Sequence, residues 1–384
     1  MAKITNTCVL LSIAILILCF PHKIWTKEPE LLSMPGKIFP DFTFHTRLEK
    51  EEVNYLGIPQ RRFLGFLGRK KTQSFTIMDI QAELVILEFF NVHCISCQAH
   101  APVMNRVYTL IQKDKILKEK VKVLAVASGN NSKEIEKFRK EKKIPFPLIA
   151  DPKYDAYEEI GEPYGTPLFF LVRKGKKEGI TVLIQRQIHN PAYFVQETWN
   201  ALNADLTTMV ASTREKSAKK TVREYTPPFI TEEELKTRVK KSMASRGVFL
   251  EEFRKITLDD KGEIFMGKTV LEAGDKIFFS KIISRNPVCD VCHEIHFILT
   301  FDSQGTVVDI IPLQFTKYGN IEWNKDELQK VTSTLIEKSL LKHLQFDPEV
   351  DAVSGATMTT SLIFNSVERA EKDYRELQQK GYIK

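Results

Sequence analysis

Two Cys-x-x-Cys pairs are the residues whose spacing points most directly to chemistry in this chain. The first pair is Cys94 and Cys97, and the second pair is Cys289 and Cys292. Two thiols at this spacing close to a disulfide and open again, a reaction that moves two electrons. The same spacing also occurs in structural disulfides and in half of a zinc site. The predicted helices and strands around each pair therefore distinguish redox chemistry from a structural role.

A predicted buried strand leads directly into the first pair. Residues 84–90 form an apolar run interrupted only by Glu88, which is typical of a strand buried on both faces. A helix is predicted to start near Cys94 and to continue through Leu110. At the N-terminus of that helix, free backbone N–H groups stabilise a thiolate on Cys94. Cys97, one turn further along, is shielded and able to resolve a mixed disulfide.

Two more features are expected near the first pair. Glu88 lies six positions before Cys94, where it would sit beneath the pair as a buried proton acceptor, with a plain salt bridge as the alternative role. Gly165-Thr166-Pro167 precedes another predicted strand, and a cis proline there would face the dithiol. Together, the strand, helix and proline favour a catalytic dithiol over a structural one.

These features together resemble the thioredoxin fold. With an extra helix and the segment Leu148-Ile149-Ala150-Asp151-Pro152, residues 35–205 are most similar to the exported thioredoxin-like proteins of the TlpA/ResA type and the AhpC/TSA (peroxiredoxin) superfamily. Asn91 stands where peroxiredoxins have a threonine, three positions before their peroxidatic cysteine, which disfavours peroxide reduction. The resemblance implies a role for each of four residues: Cys94 as nucleophile, Cys97 as resolving thiol, Glu88 as proton shuttle and Pro167 as part of the substrate-docking loop.

A second candidate site lies near the C-terminus, where the chain reads Asp351-Ala352-Val353-Ser354-Gly355-Ala356-Thr357. Thr357 carries a hydroxyl that can form a phosphoester. The small residues before it leave the backbone accessible to a modifying enzyme. A helix is predicted at 360–380, and its first N–H groups, near 359–361, would face the phosphate. The alternative is an ordinary turn that caps this helix.

Residues 270–375 resemble the FMN-binding domain of the Rnf-type and sodium-pumping quinone reductase subunits, through this motif and a predicted hairpin around Gly305. In that family a flavin transferase joins FMN through its phosphate to the final threonine of the motif. The resemblance therefore implies covalent FMN at Thr357. It also implies a recognition loop formed by Asp351, Ser354, Gly355 and Ala356.

The second cysteine pair admits two main interpretations. The string Cys289-Asp290-Val291-Cys292-His293 has the form of a haem c attachment site, in which both cysteines bind the haem and His293 is its proximal ligand. The residues that follow, 294–301, are predicted to form a strand, whereas a haem c site usually continues into a helix. The other interpretation is a second redox disulfide beside the flavin, and a metal site is a third. The disulfide is favoured and the haem stays open as the alternative.

The length of 384 residues predicts two domains, and 43% hydrophobic residues is normal for globular protein. The predicted fold class is α/β and α+β, a thioredoxin-like fold followed by a smaller α+β FMN-binding domain. The net charge of +7 is spread over mixed-charge runs without aromatic interleaving, which argues against nucleic-acid binding. The predicted ranges are a signal peptide or signal-anchor at 1–25, the thioredoxin-like domain at 30–205, a linker at 206–230, and the FMN-binding domain at 231–384.

Alternating and periodic apolar patterns predict the remaining elements. The first domain is expected to follow the order β-α-β-α-β-β-α, with Ser132 capping its second helix. The second domain is expected to begin with a charged helix, 231–255. Strands at 277–284, 294–301 and 306–313 follow it, and helices at 325–342 and 360–380 end the chain.

The N-terminus is positively charged and then apolar from Cys8 to Phe20. Thirteen helical residues span about 20 Å, less than the hydrocarbon core of a bilayer, and the run is typical of a signal peptide. No small-x-small cleavage site follows, which favours an uncleaved signal-anchor over a released protein. An extracytoplasmic, membrane-anchored location is therefore expected, where thiols cycle or form disulfides.

These observations predict an extracytoplasmic thiol–disulfide oxidoreductase that passes electrons between covalent FMN and a dithiol. Its expected partners are a client protein disulfide or thiol, a membrane electron donor, and a flavin transferase for maturation. Two rival functions remain: an electron carrier with both haem c and FMN, and a non-enzymatic binding module in which the cysteine pairs are structural.

Overall fold

The computed structural model describes residues 35–59, 73–163, 165–207, 230–244, 250–260, 262–269, 276–289 and 292–383. The predicted leader at 1–25 and most of the predicted linker at 206–230 lie outside these residues. Within the described ranges, no helix combines the length and the apolar character needed to cross a bilayer.

The first half of the chain folds around a five-stranded mixed sheet. Its strand order is β5-β4-β3-β6-β7, in which β3, β4 and β5 are parallel while β6 and β7 are antiparallel to their neighbours. All seven residues of the central strand β3 are buried, as its apolar run predicted. In chain order the elements are β1 (Phe44–Thr46), α1 (Lys50–Leu56), β2 (Gln73–Phe75), β3 (Leu84–Phe90), α2 (Ile95–Lys113), α3 (Leu117–Lys120), β4 (Val121–Ser128), α4 (Ser132–Lys142), β5 (Leu148–Asp151), α5 (Asp155–Glu159), β6 (Leu168–Lys174), β7 (Gly179–Gln185) and α6 (Pro191–Leu202).

This half contains the predicted β-α-β-α-β-β-α series, with β5 and α5 added before β6. One predicted cap is wrong. Asn131, not Ser132, precedes α4, and its Oδ1 accepts hydrogen bonds from the N–H groups of Lys133 and Glu134. The amide side chain of Asn131, one position earlier, reaches the free N–H groups, so the helix starts at Ser132 itself.

The second half of the chain folds around an antiparallel five-stranded sheet, ordered β12-β11-β10-β9-β8. The three strands predicted between 277 and 313 and the hairpin at Gly305 are confirmed; Gly305 has a φ of 76°. The elements are α7 (Glu232–Ala244), β8 (Leu250–Thr257), β9 (Glu263–Thr269), β10 (Lys276–Arg285), β11 (Ile295–Asp302), β12 (Val307–Gln314), β13 (Thr316–Lys317), β14 (Ile321–Glu322), α8 (Lys325–Leu335) and α9 (Thr357–Gln379).

The charged helix predicted at 231–255 is wrong in its second part. The helix α7 ends at Ala244, and Leu250–Thr257 is an edge strand paired with β9. Phe253 stacks on Phe265 of that strand with 5.4 Å between the ring centroids. Pairing with a neighbouring strand therefore overrides the weak helical preference of the charged residues. The helix predicted at 325–342 is also shorter than expected and ends at Leu335.

The C-terminal helix α9 packs its predicted apolar seam against the antiparallel sheet. Every residue of that seam is buried: Ile363, Val367, Ala370, Tyr374 and Leu377. Buried residues of both sheets belong to one continuous apolar cluster. The two halves of the chain are therefore packed together, and the loops at their contact bring the two cysteine pairs into one region.

Candidate functional site

Cys94 is the residue that caps the N-terminus of α2. Its Sγ accepts a hydrogen bond from the backbone N–H of Cys97 at 3.3 Å, and the thiol lies 3.3 Å from the carbonyl oxygen of Thr166. Both cysteines are buried thiols, not joined in a disulfide. Negative charge on Cys94 is stabilised by an amide and by the positive end of the helix dipole, so Cys94 is suited to be the attacking thiolate.

Cys97 is held in its protonated form. Burial raises the pKa of the Cys97 thiol well above its ordinary value, and the neighbouring sulfur of Cys94 raises it further. Cys97 therefore attacks a disulfide only if a neighbouring group takes its proton. The two cysteines of the first pair thus have different surroundings: Cys94 accepts a backbone N–H, whereas Cys97 is a buried thiol of raised pKa.

Glu88 lies in the interior of the sheet, on β3, and lines a small internal cavity together with Cys97. Burial raises the pKa of Glu88 to about 8, and the charge of Cys94 adds to the shift. A carboxyl group that exchanges its proton near neutral pH is matched to proton transfer with Cys97. Burial is the larger of the two causes of this shift.

Replacing Glu88 with glutamine should stabilise the protein at alkaline pH. The folded protein keeps the Glu88 proton up to about pH 8, whereas the unfolded chain releases it above its ordinary pKa of 4.5. Stability conferred by the buried acid is therefore present below pH 4.5 and is lost as the pH rises to 8, by on the order of a few kcal/mol. Urea unfolding of Glu88→Gln at pH 5 and pH 9 should show a gain only at pH 9.

The exposed Glu141→Gln serves as the control, because it should change unfolding little at either pH. Equal stability of Glu88→Gln and the parent at pH 9 would show that Glu88 is not a buried acid of raised pKa. If Glu88 also carries the proton of Cys97, dithiol exchange should slow by about 10²-fold in the same variant.

The loop before β6 joins the first cysteine pair to the second. The Thr166–Pro167 peptide bond is cis, as expected from the sequence. Thr166 is fully buried, and both its N–H and its hydroxyl donate to the carbonyl oxygen of Val288, at 2.8 and 2.9 Å. Thr166 also forms a parallel β-bridge with Cys289. The carbonyl of Thr166 contacts Cys94, so one residue touches both redox pairs.

Cys289 and Cys292 form a disulfide, and both are buried. This is the pairing that the disulfide interpretation predicts. The strand β11 follows directly at Ile295, and His293 is exposed between the two. Within the described ranges no group of three or more His, Cys, Asp or Glu side chains is arranged to hold a metal ion.

The flavin motif ends on the first residue of a helix. The helix α9 begins at Thr357, three residues earlier than predicted, and Ala356 at its cap has no side-chain acceptor. The first N–H groups of α9 are thus left for another acceptor. Gly355 adopts a φ of 72° in an open position, where no atom lies within 4 Å of an added Cβ, and its carbonyl accepts the N–H of Tyr318 at 2.9 Å.

The other two motif residues lie outside the cleft that Thr357 lines. The carboxylate of Asp351 accepts a hydrogen bond from the N–H of Asp347 at 2.8 Å, which closes a turn. Ser354 is exposed. Asp351 therefore shapes the loop, and Ser354 lies on the surface.

A cleft with about 540 Å³ of empty space, partly open to solvent, is lined by the flavin motif and by Cys289 and Cys292. Ile95 and Ser96, which lie between the cysteines of the first pair, also line it. Tyr318, half exposed, places an aromatic ring on this cleft. Neither Tyr318 nor the pairing of Thr166 with residue 288 has a local sequence signal. The lining consists of His93, Ile95, Ser96, Cys289, Cys292, Tyr318, Gly355, Ala356, Thr357, Met358 and Thr359.

The residues of this cleft fit an FMN group. Thr357 supplies a hydroxyl for the phosphoester, and the uncapped amides of α9 suit a phosphate. The ring of Tyr318 offers a face for an aromatic ligand, and the disulfide lies on the same cleft.

The two histidines beside the first pair are engaged in structural contacts. The imidazole Nε2 of His93 lies 2.8 Å from a carboxylate oxygen of Glu134, and the Nε2 of His100 accepts the N–H of Ile188 at 2.9 Å. Asn91, buried, bonds to the carbonyl of Ser128 at 2.6 Å. These contacts fix the loop before α2.

Two protein families match this chain. Residues 35–177 match the AhpC/TSA family, and residues 293–372 match the FMN-binding domain. The chain therefore joins an AhpC/TSA-type thioredoxin-like domain to an FMN-binding domain. The first match covers the Cys94 pair and Pro167, and the second covers the flavin motif.

One curated relative and two solved structures are similar to part of this chain. The thiol-disulfide oxidoreductase ResA of Geobacillus thermodenitrificans (strain NG80-2) is 29% identical over 104 residues, which are 26% of this chain and 55% of the relative. The chain thus spans about half the length of that relative. A putative protein disulfide isomerase from Bacteroides thetaiotaomicron shares 18% identity at a TM-score of 0.34, over 45% of this chain and 93% of that one. A putative thiol:disulfide interchange protein DsbE from Chlorobium tepidum shares 19% identity at a TM-score of 0.33, over 44% of this chain and 99% of that one.

Proposed function

We propose that this protein is a thiol–disulfide oxidoreductase that carries FMN on Thr357 and exchanges reducing equivalents between that flavin and the Cys94/Cys97 dithiol. The Cys289–Cys292 disulfide is the intermediate between them. The observation that carries this proposal is the position of Thr166, whose carbonyl contacts Cys94 while its backbone pairs with Cys289. The similarity to the oxidoreductase ResA supports the same class of reaction.

The exchange between the two pairs needs no external reagent. The Cys94 thiolate attacks the sulfur of Cys289, which forms a Cys94–Cys289 bond and releases Cys292 as a thiolate. Cys97 then attacks Cys94, which closes the Cys94–Cys97 disulfide and releases Cys289. Two electrons pass from the first pair to the second, and the reverse sequence returns them.

The protons follow from the pKa shifts in the first pair. The raised pKa of Cys97 keeps its proton in place until the mixed disulfide has formed. Glu88, in the cavity that Cys97 also lines, accepts that proton as Cys97 attacks. In the reverse direction the protonated Glu88 returns it to the leaving sulfur.

The flavin-binding residues have separate tasks. The hydroxyl of Thr357 would carry the phosphoester, and the first amides of α9 would hold the phosphate. FMN, when bound, supplies two-electron chemistry beside a disulfide. Gly355 and Ala356 keep the attachment point accessible to a flavin transferase.

The location and partners extend this proposal. A signal peptide or signal-anchor at 1–25 would place both domains outside the cytoplasm, attached to the membrane. A membrane electron donor would then meet the flavin, and a client protein disulfide or thiol would meet the Cys94 pair. Disulfide chemistry persists in such compartments, which is consistent with two cysteine pairs in one chain.

The relay is tested by photoreducing the flavin in the full-length, flavin-loaded protein without oxygen or client. Thiols that appear are then alkylated and mapped by mass spectrometry. In the parent protein, both cysteine pairs should become reduced. In the Cys289→Ser/Cys292→Ser variant, Cys94 and Cys97 should stay oxidised. Equal reduction of Cys94 and Cys97 in both proteins would exclude the second pair as an intermediate, and no reduction in the parent would refute the proposed function.

A further inference from the structure

The client-docking loop of the thioredoxin-like domain is occupied by the chain itself. The N–H of Gly165 donates to the carbonyl of Pro287 at 3.0 Å, and the N–H of Thr166 donates to the carbonyl of Val288 at 2.8 Å. These backbone groups lie directly before the cis proline. A client segment that pairs with this loop needs the same N–H groups, because each amide offers one proton. The internal segment and a client therefore exclude one another.

Arg285, two residues before Pro287, anchors the internal segment. It is 9% exposed at the end of β10, and its guanidinium contacts the carboxylates of Glu158 at 2.9 Å and Glu162 at 2.6 Å. Both glutamates belong to the thioredoxin-like half. A buried cation between two carboxylates resists separation, since separation leaves charges without partners.

The arginine is positioned from its own half of the molecule as well. Its guanidinium donates to Asn365 Oδ1 and to Ser366 Oγ of α9, each at 3.1 Å. The neighbouring Asn286 donates to the carbonyl of Glu162 at 2.8 Å. Two residues of the FMN-binding half thus orient the guanidinium of Arg285 toward two glutamates of the thioredoxin-like half. This arrangement is suited to selecting a specific partner.

We infer that the thioredoxin-like domain takes the Cys289–Cys292 disulfide of its own chain as its preferred substrate, and that Arg285 is the positioning residue that selects it over external protein disulfides. The inference rests on the proposed function. In the docked arrangement Cys94 and Cys97 are 1% and 2% exposed. An external client reaches Cys94 only after the Pro287–Cys289 stretch leaves the Thr166 loop. Arg285 therefore favours internal transfer and disfavours client turnover.

The test uses the full-length chain with Cys97→Ser and Cys292→Ser, which leaves one cysteine of each pair. Equilibration with glutathione forms a Cys94–Cys289 bond as one oxidised glutathione becomes two reduced molecules. The ratio of bonded to reduced protein at known glutathione concentrations gives the effective concentration of the two thiols. Arg285→Ala should lower that concentration by roughly tenfold or more, since a buried charged contact is lost. Glu162→Ala removes the partner of Arg285 in the thioredoxin-like half and should lower the effective concentration as well.

Client access is measured separately with both cysteine pairs intact and without flavin. Reduction of insulin by dithiothreitol, catalysed by the full-length chain, should become several-fold faster in Arg285→Ala and Glu162→Ala. The matched control is Lys281→Ala on the same strand, because Lys281 pairs with Asp373 inside the FMN-binding half at 2.8 Å. Lys281→Ala should leave both measurements at the parent value, and near-ultraviolet circular dichroism should show that each variant is folded.

The possible outcomes distinguish a failure of this inference from a failure of the proposed function. A Cys94–Cys289 bond of high effective concentration that is insensitive to Arg285→Ala and Glu162→Ala would overturn the selection by Arg285 and leave the relay standing. Failure of the bond to form in the parent double variant would overturn the relay itself. Opposite changes, with a weaker internal bond and faster insulin reduction in folded variants, would establish the inference.

Discussion

Replacing Thr357 with alanine should yield a full-length protein with no covalently bound flavin. Thr357 begins α9 on the wall of the cleft, and its hydroxyl is the atom through which the proposed phosphoester forms. An alanine offers no oxygen for that bond, so the loss should be complete. Intact mass and the fluorescence of the denatured polypeptide measure it, on protein produced together with a flavin transferase.

Two variants make the result specific to this hydroxyl. Thr357→Ser keeps an oxygen at the same position and should retain flavin. Thr334→Ala removes a threonine hydroxyl from α8, where it only donates to the carbonyl of Lys330, and should retain flavin at the parent level. Denatured Thr357→Ala polypeptide that is still yellow would show that FMN is attached covalently at another residue.

The first cysteine pair should respond to substitution in two different ways. Cys94→Ser and Cys97→Ser should each lower client turnover on the order of a thousandfold, because each removes one of the two sulfurs that carry the reaction. They should differ in what accumulates. Cys97→Ser retains the attacking thiol at the helix N-terminus but lacks the thiol that resolves the mixed disulfide, so a Cys94–Cys289 bond should form.

The cross-link is captured by adding an alkylating reagent during the reaction. Alkylation of the Cys292 thiol prevents the reverse attack on Cys289, and peptide mapping then identifies the bonded pair. The Cys94→Ser/Cys97→Ser variant should show no cross-link. A Cys97→Ser protein that is alkylated only at Cys94, with the second disulfide intact, would contradict direct exchange between the two pairs.

The thioredoxin-like half could be predicted in detail because its signals are local. The run from Leu84 to Phe90 is buried along its whole length, and α2 starts immediately after Cys94. The acid within that strand and the cis proline before β6 are where the sequence placed them. Each of these features depends on neighbouring residues and on the periodicity of one element, which a sequence displays directly.

The predictions that failed depend on partners distant in sequence. Residues 250–257 carry charges at helix-compatible positions, yet they pair with β9 as an edge strand. Helix propensity among such residues differs by a few tenths of a kcal/mol, which is less than the pairing with a sheet contributes. The start of α9 at Thr357 was likewise missed, because neither Ala356 nor Thr357 is followed by a capping box.

The amino-acid sequence alone determined the candidate groups: two cysteine pairs, an acid within an apolar run, the proline of Gly165-Thr166-Pro167 and a threonine in a flavin motif. Their types and spacings are chemical facts of the chain and require no knowledge of the rest of the fold. Only the tertiary structure placed Cys289 against Thr166, put Thr357 on the same cleft as the disulfide, and set Arg285 between Glu158 and Glu162. Those contacts join residues that are distant in the chain, and they form because two sheets pack into one apolar cluster, which no local pattern encodes.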